Sequence, residues 1–434
     1  GNTVYFTADN GSQGTELWKT DGSTGGTTLV KDIYSGSAGS FPEALYSWNG
    51  ELYFSANNNT NGTELWKSDG STGGTVMVKD IFSGSDDSYP ANFVSYNGFL
   101  YFSAYSSTGN CELWKTDGTN SGTVQVKDFN ASGSGLQTYN TGILGTYNGQ
   151  LLIAANNGIN GAELWISDGT TGGTTLLKDI NPGSNSSEIS GGITFNGLYY
   201  FAASNGSTGV ELWVTDGTTN GTQPVKDINN GSSDSDPYGF FLFGNKFYFT
   251  AYTNGNGREL WVSDGTAGGT NQLADASSGT GNTPPAHITL NGSYFFFFAE
   301  DGSELWKSDG SIGGTSFIGN VCTNPCYSYS YQTTPVLYNG QLYFQSNGDV
   351  YSCDGNSINL VNALNLAPGA KTHPTAMAGT NLGLLVALDN QVDGNECWLF
   401  NGSTASLLGN LAPHAMGSYV QQFVPYNNSV LMVA

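Results

Sequence analysis

Basic side chains and histidine are scarce in this chain. Its 434 residues include 12 Lys and Arg against 35 Asp and Glu, which gives a net charge of −23. A nucleic-acid-binding surface needs a basic face, so this balance excludes one. The single arginine, Arg258, excludes the clustered arginines of a sialidase-like site. The three histidines, His287, His373 and His414, lack metal-ligand spacing, and no local signature of a catalytic triad accompanies them.

Cysteine and long apolar runs are also scarce. No stretch of about 18 apolar residues occurs, so no membrane-spanning helix is predicted. Cys322 and Cys326 frame Thr-Asn-Pro, a spacing that permits a local disulfide. Cys353 and Cys397 fall in the third strands of two degenerate repeats and are candidates for a bridge between neighbouring blades, which leaves Cys111 over. The chain carries no signal peptide, which we interpret as a processed or truncated form of a secreted protein.

One sequence motif is repeated along the chain. GTELWKTDGSTGGT begins at Gly14, and the tryptophans of its copies are separated by 48, 48, 51, 48, 48 and 45 residues. These tryptophans are Trp18, Trp66, Trp114, Trp165, Trp213, Trp261 and Trp306. Two degenerate copies follow, at Val350–Gly355 and at Glu396–Gly402, where Trp398 holds the repeat position. A fixed period of this length is typical of a propeller or solenoid.

Each repeat reads as four short strands. In the second unit these are Phe93–Tyr96, Leu100–Ala104, the Glu-Leu-Trp strand and Val124–Asp128, and the Asn-Gly between the first two is a strong hairpin signal. No segment shows helical periodicity. We therefore predict an all-β fold: a single propeller domain over residues 1–434, with four-stranded antiparallel blades. Its nine units span about 1–50, 51–98, 99–149, 150–197, 198–245, 246–292, 293–340, 341–391 and 392–434, as eight or nine blades.

Ring closure is predicted to use both ends of the chain. Val4–Ala8 matches the second strand of a unit, and Phe423–Tyr426 has the pattern of the missing first strand. This predicts strand-exchange closure between them. Val430–Ala434 then duplicates a second strand. Either the natural chain continues, or this surplus strand pairs with another copy and makes a head-to-tail contact.

The repeat residues themselves are interpreted as structural. A large flat tryptophan at one position per sheet wedges neighbouring blades together. The few lysines lie after Trp or before Asp, which suggests ladders of ion pairs with the repeat Glu and Asp, worth about 0–1 kcal/mol each when exposed. The Asp of each Asp-Gly turn is predicted to bond its own backbone in an Asx turn.

Two loops between units concentrate oxygen ligands. The loops Asp80–Pro90 and Asp227–Pro237 contain Asp80, Asp86, Asp87, Asp227, Asp234 and Asp236 as candidate calcium ligands. Ca²⁺ takes six to eight such oxygens, but a solvated connector has the same composition. Tyr34, Tyr89 and Tyr238, at the links between units, are candidates for stacking on sugars or for packing at the blade edge.

Asn-x-Ser/Thr sequons are frequent. They become glycosylation sites only if the source secretes the chain through a glycosylating pathway. The asparagines are Asn10, Asn58, Asn61, Asn130, Asn185, Asn205, Asn220, Asn230, Asn291, Asn401 and Asn427.

The GTELWKTDGSTGGT copies resemble the ELWxxDGT repeat family of large secreted bacterial surface proteins. The likeness covers units one to seven by motif and the last two by period and turn position. It implies a β-propeller-like fold and an extracellular or surface-attached location, and it implies no activity.

From these observations we predict a non-enzymatic, extracellular structural or adhesive module of a surface or filament. The alternative is a lectin-like propeller with sites in the inter-blade loops, and the third hypothesis is a glycan-processing enzyme. Calcium is the one cofactor considered. The expected partners are further copies of the chain, head to tail, or surface glycans.

Overall fold

The chain folds into a series of small antiparallel sheets. The computed structural model describes residues 3–21, 25–107, 109–136, 142–276, 284–299, 302–321, 334–346, 348–364, 374–380, 382–389, 395–409, 422–426 and 429–433. Within these residues the secondary structure is 37 strands and a 3₁₀ turn at Asn362–Leu364. No helix of this described part is long and apolar enough to cross a membrane.

Two compact units divide the chain. The first comprises Gly1–Phe240 with Gly265–Ala267. Sheet 1 contains β1 (Val4–Asp9), β2 (Thr15–Thr20) and β3 (Thr28–Lys31). Sheet 2 contains β4 (Glu43–Trp48), β5 (Glu51–Asn57), β6 (Thr63–Ser68) and β7 (Val76–Lys79). Sheet 3 contains β8 (Ala91–Tyr96), β9 (Phe99–Tyr105), β10 (Cys111–Thr116) and β11 (Val124–Lys127). Sheet 4 contains β12 (Ile143–Tyr147), β13 (Gln150–Asn156), β14 (Ala162–Ser167) and β15 (Thr175–Lys178). Sheet 5 contains β16 (Ser190–Phe195), β17 (Leu198–Ser204), β18 (Val210–Thr215) and β19 (Gln223–Lys226).

The second unit comprises Phe241–Asp264 with Gly268–Ala434. Sheet 6 contains β20 (Tyr238–Phe243), β21 (Lys246–Thr253), β22 (Gly257–Ser263) and β23 (Asn271–Gln272). Sheet 7 contains β24 (Ala286–Asn291), β25 (Tyr294–Ala299), β26 (Glu304–Ser308) and β27 (Thr315–Asn320). Sheet 8 contains β28 (Val336–Tyr338), β29 (Gln341–Ser346), β30 (Asp349–Cys353) and β31 (Ile358–Leu360). Sheet 9 contains β32 (Ala376–Gly379), β33 (Leu384–Asp389), β34 (Asn395–Phe400) and β35 (Ala405–Gly409). A final hairpin contains β36 (Gln422–Tyr426) and β37 (Ser429–Val433).

Each sheet is a meander whose strands pair in chain order. Sheets 2 to 9 have four strands each, and every pairing within them is antiparallel. This is the blade architecture of a β-propeller, so the predicted all-β fold of four-stranded antiparallel blades is confirmed. The hairpin turns form as predicted: Asn97 and Gly98 between β8 and β9 both have positive φ, at 50° and 78°.

The predicted strand exchange is not among the strand pairings of the described residues. Strand β36 pairs with β37 in a two-stranded sheet, with Phe423 opposite Met432. Strand β1 pairs with β2 in a three-stranded sheet. The sequence Asn427-Asn428 between these strands favours a local hairpin. A two-residue connection closes with little loss of chain entropy.

In most sheets the fourth strand has a bulge, which shifts its register just before the tryptophan of the third strand. In sheet 2, Leu65 lies opposite Lys79 and Trp66 lies opposite Met77, so Val78 is the extra residue. The bulge rotates Val78 into the interior, where it is 5% exposed. The same register shift recurs between Leu17 and Trp18 in sheet 1.

Within each unit the cores lie between successive sheets. In the four-stranded sheets the second strand is buried along nearly its whole length, as in the pattern Leu52–Ala56 of β5. One cluster joins Tyr53 and Leu65 of sheet 2 to Phe102 and Trp114 of sheet 3. A strand covered on both faces explains the continuous apolar runs of the sequence. The structure places the repeat tryptophans Trp66, Trp114, Trp165, Trp213 and Trp261 in such interiors, each 4–7% exposed.

Glycine before the third strand allows the link loop to close over the blade edge. Gly161 has φ +74°, and a Cβ built on it would lie 2.3 Å from the carbonyl oxygen of Asn185. Gly62 has the same relation to Asp86, also at 2.3 Å. Gly197, in a hairpin turn, has φ +75° with nothing within 4 Å of its Cβ position.

We expect Gly161→Ala to destabilise the protein clearly more than Gly197→Ala. Both variants place alanine in the left-handed region, which costs about 1–2 kcal/mol, but Gly161→Ala also forces the Asn185 backbone away. Urea denaturation of the two variants measures the difference in free energy of unfolding. Equal losses for both would contradict close backbone packing at Gly161.

Candidate ligand-binding cleft

The loops that link successive sheets are organised by the glutamate of the third strand. Glu64 is fully buried, and its Oε2 accepts hydrogen bonds from the backbone N–H of Ile81 at 2.7 Å and the hydroxyl of Ser88 at 2.7 Å. Glu211 repeats this with Ile228 N–H at 2.7 Å and Ser235 Oγ at 2.7 Å. The carboxylate therefore satisfies backbone donors of a loop that has no sheet partner of its own.

Burial makes these glutamates unusual acids. Desolvation raises the pKa of Glu64, Glu112, Glu163 and Glu211 from 4.5 to about 7, against the lowering effect of their backbone hydrogen bonds. A neighbouring aspartate charge adds to the increase, such as Asp179 for Glu163. The prediction that the repeat glutamates belong to ion-pair ladders did not anticipate this burial.

Beside Glu64, Glu163 and Glu211 lies an aspartate with one carboxylate oxygen that is buried without a hydrogen-bond partner. In Asp80, Oδ2 accepts from Asn61 Nδ2 at 2.9 Å, whereas Oδ1 is buried without a hydrogen-bond partner. In Asp179, Oδ2 accepts from Asn160 Nδ2 at 2.8 Å, and Oδ1 is again without a partner. Asp227 Oδ1 is in the same state.

The other predicted calcium ligands contact backbone groups at the start of the third strand of their sheet. Asp87 Oδ1 accepts from Thr63 N–H at 2.6 Å, and Asp234 Oδ1 accepts from Val210 N–H at 2.8 Å. Asp86 places its carbonyl against Gly62, and the N–H of Asp236 donates to the Val210 carbonyl at 3.1 Å. Across the described residues, no three His, Cys, Asp or Glu side chains converge to hold a metal ion. Calcium binding stays a prediction.

The loop tyrosines lie at the surface. Tyr89 is 52% exposed, and its hydroxyl donates to Asp87 Oδ2 at 2.9 Å; Tyr238 is 42% exposed. The hydroxyl of Tyr34 donates to Asn59 Oδ1 at 2.7 Å. Glycan contacts by these side chains stay predictions, as does glycosylation of the sequons.

The predicted bridge between Cys353 and Cys397 is not formed. Both are free, buried thiols, as is Cys111. Cys353 packs with Phe298 and Leu342, whereas Cys397 packs in a separate cluster with Ala387. Their thiols therefore serve as small apolar core groups. Cys322 and Cys326 lie outside the described residues.

The predicted ion-pair ladders are wrong for most motif lysines. The one ion pair among the described residues joins Lys67 Nζ to Glu51 Oε2 at 3.1 Å. Elsewhere the lysine after the tryptophan reaches the Asp-Gly turn of the next sheet and donates to the glycine carbonyl. These inter-sheet bonds join Lys19 to Gly70 at 2.7 Å, Lys115 to Gly169 at 2.9 Å and Lys307 to Gly355 at 2.6 Å. The repeat glutamates are unavailable to the lysines because they lie buried beneath the link loops.

The Asp-Gly turn that receives the lysine is rigid. Asp69 Oδ1 accepts from the N–H and hydroxyl of Ser71, at 2.8 and 2.7 Å, which confirms the predicted Asx turn. These hydrogen bonds lower the pKa of Asp69. Thr72 Oγ1 then donates back to the Val30 carbonyl of the preceding sheet at 2.8 Å. Lysine and threonine therefore join neighbouring blades in both directions.

Sheet 8 lacks this lysine. The register identifies the position: Lys67 lies opposite Tyr53 and Lys115 opposite Tyr101, and Ser352 lies opposite Tyr343. Sheets 4, 5 and 6 also lack the lysine, but there the apolar side chains of Ile166, Val214 and Val262 occupy the position, 4–8% exposed. Serine is too short either to fill the position or to reach the next turn.

A cleft of about 240 Å³ lies where the lysine is missing. Its lining residues are Gln341, Tyr343, Ser352, Leu360, Val361, Asn362, Ala363, Phe400, Gly402 and Ser403. Tyr343 and Phe400 are buried, with ring centroids 6.0 Å apart, and form its apolar wall. The hydroxyl of Tyr343 donates to Gln341 Oε1 at 3.4 Å. Burial raises the pKa of Tyr343, so the phenol is neutral at physiological pH.

The far side of the cleft is the turn of sheet 9. Gly402 has φ +100°, close to the +88° and +97° of the lysine acceptors Gly70 and Gly355. Asn401 Oδ1 holds the turn by accepting from the N–H groups of Ser403 and Thr404, at 3.0 and 2.9 Å. Among the described residues no side chain donates to the Gly402 carbonyl. The sequence signal for this cleft was Ser352 at a repeat position otherwise occupied by Lys, Ile, Val or Leu, and the sequence-based predictions did not include it.

Comparisons with known proteins give distant likenesses. No family model matches the chain, and neither does any curated protein. A tricorn protease structure matches at 12% identity and TM-score 0.32 over 84% of this chain and 36% of that chain. A puromycin hydrolase S511A mutant complexed with PGG matches at 16% identity and TM-score 0.41, over 75% of this chain and 53% of that chain. Apo AztD from Citrobacter koseri matches at 13% identity and TM-score 0.39, over 83% of this chain and 93% of that chain. The chain thus spans about a third to a half of the first two proteins.

The predicted structural or adhesive role is corrected by these comparisons. The tricorn protease, the puromycin hydrolase and two prolyl oligopeptidase structures are peptidases, and none of these matches is a structural or adhesive protein. With TM-scores below 0.5 and identities of 11–16%, these likenesses transfer no activity to this chain.

Proposed function

We propose that this chain is a binding protein and that its ligand group occupies the cleft between sheets 8 and 9. The observation that carries the proposal is the replacement of the inter-sheet lysine by Ser352, which opens a space of about 240 Å³ beside intact acceptor groups. Apolar walls with a few convergent polar groups are typical of ligand sites.

We propose that the cleft binds its ligand without catalysing a reaction. The cleft is lined by hydroxyl, amide and apolar side chains, and it contains no carboxylate, imidazole or thiol. A general acid or base with a pKa near neutrality is therefore missing from its lining. We further propose an extracellular location, supported by the acidic composition and by the resemblance of the repeats to secreted proteins.

Refilling the position by Ser352→Lys is expected to stabilise the protein by about 0.5–1.5 kcal/mol. The new ammonium group would donate to the Gly402 carbonyl, as Lys307 donates to Gly355 at 2.6 Å. Ser352→Met is the matched control, because it supplies a similar apolar stem without the donor. Thermal denaturation of the three proteins measures the effect. A lower melting temperature for Ser352→Lys than for Ser352→Met would contradict the equivalence of these positions.

Binding itself is tested with a panel of four small probes. Saturation-transfer difference NMR is recorded for n-butylammonium, n-butanol, butyrate and glucose, each with the wild type and with Ser352→Lys. The proposal expects transfer to at least one probe in the wild type and its loss in Ser352→Lys, whose side chain fills the cleft. Absence of transfer to every probe, or equal transfer in both proteins, would overturn the proposal.

A further inference from the structure

We infer that the cleft between sheets 8 and 9 selects a primary alkylammonium group, such as a lysine side chain of a partner or a free alkylamine. This inference rests on the proposed function and names its ligand. Three regular blades place a lysine Nζ within 2.6–2.9 Å of the glycine carbonyl in the next turn. Sheet 8 keeps the surroundings of that ammonium group and omits the group itself.

The acceptors of the missing ammonium group are in place. In sheet 2, Glu51 Oε2 accepts from the Tyr53 hydroxyl at 3.2 Å and from Lys67 Nζ at 3.1 Å. In sheet 8, Gln341 Oε1 accepts from Tyr343 in the same way, at 3.4 Å. The remaining lone pair of Gln341 Oε1, the Gly402 carbonyl and Ser352 Oγ offer three acceptors. A primary ammonium group has three donors, which matches this number.

The walls fit the stem of such a ligand. An alkyl chain of about four carbons would lie along Tyr343 and Phe400, which are 5% and 4% exposed. Elsewhere in the protein lysine ammonium groups lie over aromatic rings, with Lys115 Nζ 4.6 Å from the Phe99 ring centroid and Lys307 Nζ 5.4 Å from that of Tyr294. The net charge of −23 also raises the local concentration of cationic ligands.

The acceptors discriminate against other groups of the same size. A carboxylate would place its oxygens against the Gly402 carbonyl and the Gln341 oxygen without a donor between them. An alcohol supplies one donor where the site offers three acceptors. A trimethylammonium group keeps the charge but has no N–H to donate.

The test compares four butyl probes that differ only at the head group. Affinities of n-butylammonium, n-butanol, butyrate and butyltrimethylammonium are measured by titration in saturation-transfer difference NMR at pH 7. We expect n-butylammonium to bind about tenfold more tightly than the other three, which corresponds to one charge-assisted hydrogen bond. We also expect Ser352→Lys to abolish its binding.

The outcomes separate this inference from the proposed function. Binding of butanol or butyrate as tightly as butylammonium, with loss in Ser352→Lys, would preserve the cleft as a ligand site and overturn the ammonium selectivity. Equal binding of butyltrimethylammonium would also overturn it, because charge alone would then be sufficient. Butylammonium binding that persists in Ser352→Lys would overturn both. Ser352→Met serves as the second variant: it should weaken binding by filling the cleft, and binding retained there would count against the site.

Discussion

Replacing Phe201 by alanine is expected to lower the free energy of unfolding by about 3–5 kcal/mol. Phe201 lies in the second strand of sheet 5 and has no exposed surface. It packs in the cluster that joins sheets 4 and 5, with Leu152 and Leu164 on one side and Trp213 on the other. Its ring stacks on that of Tyr199 at 6.0 Å between centroids. Truncation therefore removes contacts with both sheets and leaves a cavity that neither can fill alone.

Phe41→Ala is the control for this prediction. Phe41 lies in the same unit, but its side chain is 58% exposed, so the same truncation removes little buried area. We expect a change within about 0.5 kcal/mol, as for most surface substitutions. Urea denaturation monitored by tryptophan fluorescence compares the two variants. A loss for Phe201→Ala no larger than that for Phe41→Ala would contradict the assignment of this core.

The strands and turns were predictable because their signals are local. Asn97-Gly98 specifies a hairpin through backbone angles that asparagine and glycine adopt readily. The apolar run that follows it reflects a strand, β9, that is covered on both faces. The fold class follows from repetition of that unit. The strand pairing that would close the ring could not be predicted in this way. Phe423–Tyr426 can pair with a local hairpin strand or with a distant strand, and the sequence pattern is the same for both.

The site was less predictable because it depends on differences between equivalent positions. Glu64 and Lys67 are three residues apart in one strand, and sequence alone suggested that both face solvent and pair in ladders. In the structure Glu64 is buried and accepts hydrogen bonds from the link loop, whereas Lys67 pairs with Glu51 of the same sheet. Ser352 is recognised as the equivalent of the motif lysine only because it lies opposite Tyr343 in the sheet. The degenerate repeat does not show this alignment in its sequence.

Stability should fall as the pH rises from about 4.5 to about 7. In the unfolded chain each repeat glutamate has the ordinary pKa of 4.5, and burial raises the folded value to about 7 for Glu64, Glu112, Glu163 and Glu211. Between these two values the folded state binds more protons than the unfolded state, so deprotonation favours unfolding. Each pKa unit of difference corresponds to about 1.4 kcal/mol. Below pH 3.8 the opposite trend begins, because hydrogen bonds lower the pKa of turn aspartates such as Asp168. Urea midpoints measured from pH 4 to 8 test this order, and a midpoint that rises steadily from pH 4.5 to 7 would contradict it.

Two glutamine variants distinguish the chemical origin of this pH dependence. In Glu163, Oε2 accepts from Ile180 N–H at 2.6 Å, whereas Oε1 is buried without a partner. Asp179, whose charge raises the pKa of Glu163, has an equally unpartnered Oδ1. Glu163→Gln keeps the first acceptor and supplies an N–H₂ donor for the Asp179 oxygen. We expect it to stabilise the protein at pH 8 by on the order of 1–3 kcal/mol, with little effect at pH 5, where the glutamate is protonated.

Glu16→Gln should have the opposite effect. Both oxygens of Glu16 accept hydrogen bonds: Oε2 from Ile33 N–H at 3.1 Å and Ser40 Oγ at 2.5 Å, and Oε1 from Tyr34 N–H at 3.1 Å and Ser40 N–H at 2.9 Å. Glutamine would place an N–H₂ group against two donors, so a buried donor would lose its acceptor at a cost of about 1–3 kcal/mol at every pH. Matched urea denaturation of both variants at pH 5 and pH 8 is decisive. If Glu163→Gln destabilised the protein at pH 8 as much as Glu16→Gln, the Asp179 oxygen would already have a partner, and the repeat glutamates would bind their loops as fully satisfied carboxylates.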